Sequence, residues 1–270
     1  MTTGDRRGSV TSSGRGPVNR VRAESFGAVA EAYDRARPSY PPRLVDDLLG
    51  MVAIAGTAPA PEVLDVGCGT GKAAGLFVAR GARVLGVEVD TRMAEVARSH
   101  GIEVETSAFE RWAPAGRTFD LVVCGQAWHW VDPVAGLATL TRVLRRPGVF
   151  SAFWNFAILD AEPMMALESA YRAAATTLSP RSIVRGGGPD TVPHHAETLA
   201  RLGRVEAREY EWARAYSRDG WLELLSSHSD HIALGRPERE RIRHEVGAAI
   251  DRLGGTLPVR YRTHALIVTV

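Results

Sequence analysis

Gly67-Cys68-Gly69-Thr70-Gly71-Lys72 places three glycines in one short loop, directly after an apolar run that contains Asp65. Glycines there let the backbone approach a ligand without interference from Cβ atoms. Several ligand chemistries use such loops, and spacing separates them. A loop that cradles nucleotide phosphates needs glycine five residues before the Gly-Lys pair and Ser or Thr after it. Val66 and Ala73 occupy those places. A dinucleotide loop needs glycine at its first, third and sixth positions, and the sixth here is Lys72. A nucleoside without phosphates remains. Glu88, closing the next apolar run, offers a carboxylate that can accept protons from both ribose hydroxyls.

A second cluster, Gly125-Gln126-Ala127-Trp128-His129-Trp130, sets one imidazole between two indoles. His129 is a candidate catalytic general base, a donor that orients a substrate, or a tie from its loop to a backbone carbonyl. Indole faces make an apolar wall that also tolerates a cation, so Trp128 and Trp130 are candidate substrate walls. A metal is not expected. No Asp or Glu immediately accompanies His129, and the pairs His194-His195 and His228/His231 lack further ligands at suitable spacing. Asp132 before Pro133 reads as a helix cap.

Periodicity supplies the elements that must position these residues. Glu62–Val66 reads as a strand, Lys72–Arg80 as a helix and Arg83–Val89 as a strand. Helix 91–100, strand 102–108, strand 119–125, helix 133–146 and strand 148–155 continue the alternation. Apolar runs separated by helices indicate parallel strands joined by right-handed crossovers. Residues 206–217 and 259–270 alternate like strands and are expected to finish the sheet as an antiparallel pair, with helices 162–178 and 237–253 capping it. The expected fold is α/β: a doubly wound, Rossmann-like, seven-stranded, mostly parallel sheet with an antiparallel last strand and a helical cap. Ser25–Tyr33 suggests a short helix, Arg43–Ile54 an amphipathic one closed by Gly56 and Ala-Pro repeats, and Arg185–Asp190 a flexible loop. Ligands of open α/β sheets sit beyond the carboxyl ends of the strands. Gln126 therefore belongs at the ligand's edge, with Trp128 to Trp130 toward the substrate. Trp154 and Asn155, at the fifth strand's end, border the substrate, or Asn155 ends the strand by bonding its own backbone.

Val63–Gly71, VLDVGCGTG, closely resembles the first motif of class I S-adenosylmethionine-dependent methyltransferases, and VLGVEVDTRM resembles the second. The resemblance covers residues 61–155 and implies S-adenosylmethionine as cofactor, with S-adenosylhomocysteine as product. It implies that Gly67, Cys68 and Gly69 line the methionine and ribose, that Asp65 braces the loop, and that Glu88 holds the ribose while Val89 packs on adenine. Ser107 stands where many relatives place an Asp that reads the adenine amino group. Ala108 and Phe109 then serve through backbone and packing, unless Phe109 is an ordinary core aromatic. The set AYDRARPSYP, AFE, QAWHWVDP and FWN is similar to the trans-aconitate and cantharidin-type methyltransferases, which act on small molecules, often carboxylic acids. In relatives the N-terminal segment folds over the cofactor as a lid. Tyr33 would then lie near the methionine end, with Tyr40 in the same polar-aromatic cluster on the substrate side. Arg37 would pair with a carboxylate of cofactor or substrate, or be a surface residue. The organisation expected is a disordered tail 1–21, a helical lid 22–60, a cofactor-binding core 61–155, a cap and substrate region 156–203 and 217–254, and a final strand pair 204–216 and 258–270.

Composition bounds the alternatives. Of 270 residues 45% are apolar and 24% charged, and the net charge of +2 offers no long-range field for a polyanion. The [DNS]PP[YF] element of enzymes that methylate base amines is absent, and Cys124 follows Val123 rather than the proline of pyrimidine C5 enzymes. Two cysteines rule out a disulfide framework and suit a reduced cytoplasm. No apolar run approaches the length of a membrane span. The expected partner is a small-molecule acceptor, with oxygen (carboxylate or hydroxyl) the expected methylated atom. No nucleic acid or membrane partner is expected, and the chain is expected to be a monomer or homodimer. The alternatives are a protein of the same fold that binds the cofactor without transfer, or an enzyme acting on nitrogen, carbon, or a protein- or carrier-bound substrate.

Overall fold

Glu62–Val66 (β1) forms where its apolar run predicts, and its last four residues are buried. This computed structural model describes residues 30–54, 60–184 and 192–270. The expected tail 1–21, the start of the Ser25–Tyr33 helix, the closure at Gly56 with its Ala-Pro repeats, and the loop Arg185–Asp190 lie outside the described residues. The described chain begins with helices Ala30–Ala36 (α1) and Pro42–Ile54 (α2). After β1 come Lys72–Val78 (α3), Arg83–Glu88 (β2), Thr91–Ser99 (α4), Glu103–Thr106 (β3), Phe119–Gly125 (β4) and Pro133–Val143 (α5). Asp90 caps α4 by accepting from the Arg92 and Met93 amides, and Asp132 caps α5 by accepting from Val134 and Ala135 ahead of Pro133. Both caps satisfy amides that the first helical turn leaves without partners.

The fifth strand is longer than its apolar run suggests. Leu144–Ile158 (β5) continues past Asn155 because Thr256–Thr269 (β7) pairs with it antiparallel as far as Ile158↔Arg260. Arg204–Ser217 (β6) pairs antiparallel along the whole length of β7. The sheet has seven strands in the order β3-β2-β1-β4-β5-β7-β6, with β1 to β5 parallel. Strand order reverses between β1 and β4, and such a switch point opens a crevice at the strands' carboxyl ends.

Helices cover both faces. Leu44, Leu48 and Phe77 from α2 and α3 pack on Leu121, Val123 and Phe153. On the other face Leu140 and Val143 of α5 join Phe109, Trp112 and Trp128 against Val122 and Phe150. A third core lies above the extended strands, built by Ala161–Ala173 (α6), Arg181–Val184 (α7), Arg218–Ser226 (α9) and Arg236–Arg252 (α11). Leu167, Trp221 and Val246 there meet Tyr216, Val259 and Tyr261. Val192–Leu199 (α8) and Ser229–Ile232 (α10) complete the helices among the described residues. No helix among them is long and apolar enough to cross a membrane.

Candidate cofactor and acceptor site

The glycine loop leaves β1 at the switch point. Gly67, Gly69 and Gly71 all have positive φ, the left-handed region open to glycine at little cost. A Cβ on Gly67 would stand 2.6 Å from the Ala127 Cβ, so the loop lies directly against the segment that follows β4. Its amides are partly satisfied by β2: Gly67 N–H donates to the Val87 carbonyl at 2.8 Å. Gly69 N–H donates to Glu88 Oε2 at 2.8 Å, while Glu88 Oε1 accepts from the Val89 and Asp90 amides, both at 2.9 Å. Glu88 thus fixes the loop to the end of β2. Burial pushes its carboxyl above the ordinary glutamate value, and the amide donors oppose that shift.

Asp65 is only 1% exposed. Its Oδ2 accepts from the Ala74 amide at 3.0 Å, which braces the first turn of α3, but its buried Oδ1 has no hydrogen-bond partner. Burial is the main cause that raises its pKa to about 7. The Ala74 amide opposes the shift and the Glu88 charge adds to it. Two buried carboxylates side by side, one with an orphaned oxygen, form a site that wants a cation or polar protons. The Cys68 thiol is pushed up by burial, which keeps it a protonated packing group.

Gly86 lies under this loop. A Cβ there would come within 2.6 Å of Cys68 Sγ and 3.2 Å of Cys68 Cβ. Gly86→Ala is therefore expected to displace the loop at its second residue and cost about 1–3 kcal/mol of stability through overpacking. Thermal melting with and without S-adenosylhomocysteine checks this: the variant should melt lower and be stabilised less by ligand, and an unchanged melting temperature and ligand shift would refute the packing role.

Helix α1 reaches the glycine loop and the end of α4. Asp34 on α1 lies 3.6 Å from Lys72 Nζ and 2.9 Å from His100 Nε2. Partial burial raises the Asp34 pKa, but the nearby Thr70 hydroxyl, the hydrogen bond with His100 and the Lys72 charge outweigh it, so the net shift is downward. Arg37 donates from Nε to Ser227 Oγ and from Nη2 to the Ser227 carbonyl, both at 2.9 Å, with its guanidinium 4.9 Å from the Tyr33 ring centre. Tyr40 stands edge-on to Phe153 at 4.7 Å. A Cβ on Gly125 would lie 2.6 Å from the Tyr40 hydroxyl, so this close approach at the end of β4 depends on the glycine. Burial, then Tyr33 and Asp65, raise the Tyr40 pKa and keep the phenol protonated.

Eight residues singled out by sequence meet around one cavity: Tyr33, Arg37, Tyr40, Asp65, Gly67, Cys68, Gly69 and Gln126. Pro38, Thr70, Lys72, Ala73 and Gly125 line it as well. Thr70 and Lys72 belong to the quoted loop and were passed over as possible ligand contacts. Glu88 adjoins the cavity through Gly69. Val89 is half-buried at the end of β2, and the Ser107 amide donates to the Glu88 carbonyl, which brings Ala108 to the same edge. Phe109 is buried in the core, 6.5 Å from Trp112 and 6.4 Å from Trp128.

The segment after β4 divides its residues. Gln126 has φ +60°, and its side chain donates to the Asn155 carbonyl at 3.3 Å. Trp128 is not a substrate wall: it is 2% exposed, 4.8 Å from Phe150, because the short turn Trp128–Trp130 directs it beneath the sheet rim. His129, Trp130 and Trp154 form a cluster that shares no lining residue with the cavity. Trp154 Nε1–H donates to His129 Nδ1 at 3.3 Å, its ring stacks on His195 at 5.4 Å, and Trp130 lies 4.6 Å from His129. Burial and then the neighbouring His195 lower the His129 pKa. By its accessible surface His129 is nevertheless an exposed residue, which limits how far burial alone can hold it neutral. Asn155 is buried and does not end its strand. Its Nδ2 donates to the Ser39 carbonyl at 2.9 Å and its Oδ1 accepts from Thr263 at 2.6 Å, so it joins the N-terminal segment to β7. His228 and His231 are 6.5 Å apart, with His231 bonded to Tyr171 and Asp230. No group of three or more His, Cys, Asp or Glu able to hold a metal occurs among the described residues.

Comparison with known proteins agrees with this geometry. Residues 64–152 match the family model described as a methyltransferase domain. The chain is 38% identical over 133 residues to an uncharacterized methyltransferase of Mycobacterium tuberculosis, covering 48% of this chain and 52% of that protein. It spans about half the length of the first curated relatives it matches. A ubiquinone biosynthesis O-methyltransferase of Bordetella parapertussis is 28% identical over 169 residues, 56% of this chain and 70% of that one. A solved structure from Anaeromyxobacter dehalogenans, named as a candidate type II methyltransferase, superposes with a TM-score of 0.61 at 24% identity, over 86% of this chain and 97% of that one, a likeness of fold. With the loop, the acidic strand ends and the strand order in place, residues 64–152 match a methyltransferase domain set in a Rossmann-like sheet.

Proposed function

We propose that the chain transfers a methyl group from S-adenosylmethionine to a small-molecule acceptor, with oxygen as the methylated atom. The observation that carries this is the unpartnered, buried Oδ1 of Asp65 beside Glu88 at the edge of a lidded cavity. A donor with an α-ammonium, a sulfonium and two ribose hydroxyls, and no phosphate, fits that set of acceptors. Glu88 would take the ribose hydroxyls, Val89 and Ala108 would border the base, and Gly67, Cys68 and Gly69 would follow the methionine and ribose. Arg37, whose described contacts include no carboxylate, would hold the methionine carboxylate through its planar fork. Tyr33 and Tyr40 would exclude water above the reacting end, and Gln126 would fix the rim between the donor and the acceptor. When bound, the cofactor supplies an activated methyl group with a neutral leaving group.

The chain's residues are left mainly with alignment and exclusion of water. Oxygen is favoured by the partial match to the O-methyltransferase above and by the resemblance to enzymes of small carboxylic acids, whose acceptors carry no proton to remove. His129 fits an orienting role better than that of a base. Its Nδ1 accepts the Trp154 indole proton, so the neutral ring carries its proton on Nε2 and presents a donor. His129→Gln is expected to lower turnover less than about tenfold, against the ~10²–10⁴ typical of a lost general base. A loss beyond a hundredfold, with unchanged cofactor affinity, would reinstate the base.

The enzymatic claim is tested by incubating the chain with tritiated-methyl donor and a small-molecule extract. Label should appear in a small product heavier by one methylene. Donor binding without label transfer across broad substrate sets would leave a cofactor-binding protein and overturn the enzyme.

A further inference from the structure

Alternate residues of β6, Tyr210, Trp212, Arg214 and Tyr216, share one face and lie opposite Thr263, Tyr261, Val259 and Leu257 of β7. Tyr210 enters the core under α2 and Tyr216 the core under the cap. Trp212 and Arg214 therefore span the stretch between them. Trp212 stacks on Tyr261 at 4.5 Å and donates its indole proton to Thr263 Oγ1 at 2.9 Å. The Arg214 guanidinium lies 4.5 Å from the centre of the Tyr216 ring, and the Tyr216 and Tyr261 hydroxyls are 2.7 Å apart.

What sets Arg214 apart is its charge balance. Arg208 on the same strand pairs with Asp47 and Glu206, and Arg218, just beyond the strand, with Asp219 and Asp251. Among the described residues Arg214 has an aromatic face under it and no carboxylate in ion-pair contact, the nearby Asp160 being paired with Arg260. Its charge is felt at Lys72, which lines the cofactor cavity, and with that of Arg37 at Tyr216 and Tyr261. Two of these cations, Lys72 and Arg37, line a cavity proposed to hold a cationic sulfonium, and Arg214 is a third within their electrostatic range. Like charges at such range in a low-dielectric site repel unless anions intervene. Asp34 answers Lys72, and the methionine carboxylate would answer Arg37. Arg214 is left over. The hydroxyl pair beside it uses one proton between its two oxygens, which leaves the second free to donate.

We infer that Arg214, with the Tyr216–Tyr261 hydroxyl pair, anchors an oxyanion of the methyl acceptor, a carboxylate or phosphate placed on the extended β6–β7 strands away from the methylated atom. The inference rests on the proposed function in taking the acceptor site to adjoin the cofactor cavity. It makes Arg214 a residue that selects acceptors by charge.

Benzoate, phenyl phosphate and the neutral benzamide serve as probes, each titrated into the full chain with and without S-adenosylhomocysteine and followed by ligand-observed NMR and calorimetry. At least one anion should bind in both states, and benzamide at least about tenfold more weakly, as the loss of a charge-assisted pair implies. Whichever of benzoate and phenyl phosphate binds tighter identifies the oxyanion. Arg214→Gln should abolish the preference for the anion over benzamide, Arg214→Lys should restore part of it, and S-adenosylhomocysteine affinity should stay within about twofold. Equal binding of the anions and benzamide, no anion binding at all, or an anion preference surviving in Arg214→Gln would each overturn the inference. Failure of S-adenosylhomocysteine to bind, with Arg214-dependent anion binding intact, would instead count against the cofactor.

Discussion

Glu88→Ala is expected to weaken S-adenosylhomocysteine binding by about 10- to 150-fold, or roughly 1.5–3 kcal/mol for losing hydrogen bonds to a charged acceptor. Two effects act together. The substitution removes the carboxylate assigned to the ribose, and it frees the Gly69, Val89 and Asp90 amides that the same carboxylate now holds. Glu88→Gln separates them, since its carbonyl oxygen can take one set of protons while its amide group repels the other. The glutamine variant should bind better than the alanine variant and worse than wild type. Calorimetric titration of all three checks this ordering, and equal affinities would show that another acidic residue holds the ribose.

Asp65 should give the affinity a pH dependence. Its pKa of about 7 in the unliganded fold means that half the carboxyls are protonated at neutrality. A cationic donor favours the ionised form and lowers that pKa on binding, so binding should release a proton near neutral pH. Affinity should then fall as pH drops below 7, by up to about tenfold per pH unit until the pKa of the bound form is reached. The sign for stability is opposite. A carboxyl raised above its ordinary value of 3.8 contributes stability that is complete below that value and is lost as pH rises through about 7. Asp65→Asn should therefore make donor binding weak and flat with pH, while raising the melting temperature of the unliganded chain above that of wild type at pH 8. Titrations across pH 5.5–8.5 in buffers of different ionisation enthalpy measure the proton release. An unchanged pH profile in the asparagine variant would remove Asp65 from the ligand's surroundings.

Local patterns carried most of the fold and the cofactor side of the site. β1 and β4 fall on the predicted residues because apolar runs bounded by turn residues record burial directly. The glycine loop, Asp65 and Glu88 lie close together in sequence, and their spacing encodes their contact. Pairings made across long separations were not legible. Asn155 is held by Ser39 and by Thr263, 116 and 108 residues away in the chain, so its neighbours in sequence give no sign of its structural task. Trp128 and Trp130 look equivalent in sequence, and only the short turn between strand and helix decides that the first points into the core. Arg214 does not stand out in the sequence, because one arginine among many has no local signature. Its distinction is a place on an aromatic face with no ion-pair partner among the described residues.

The most direct test of the whole account is a calorimetric titration of S-adenosylmethionine into the wild-type chain at pH 7. The account predicts one site per chain, proton release on binding, and loss of affinity in Glu88→Ala. No binding heat and no ligand-induced thermal shift at millimolar ligand would contradict it.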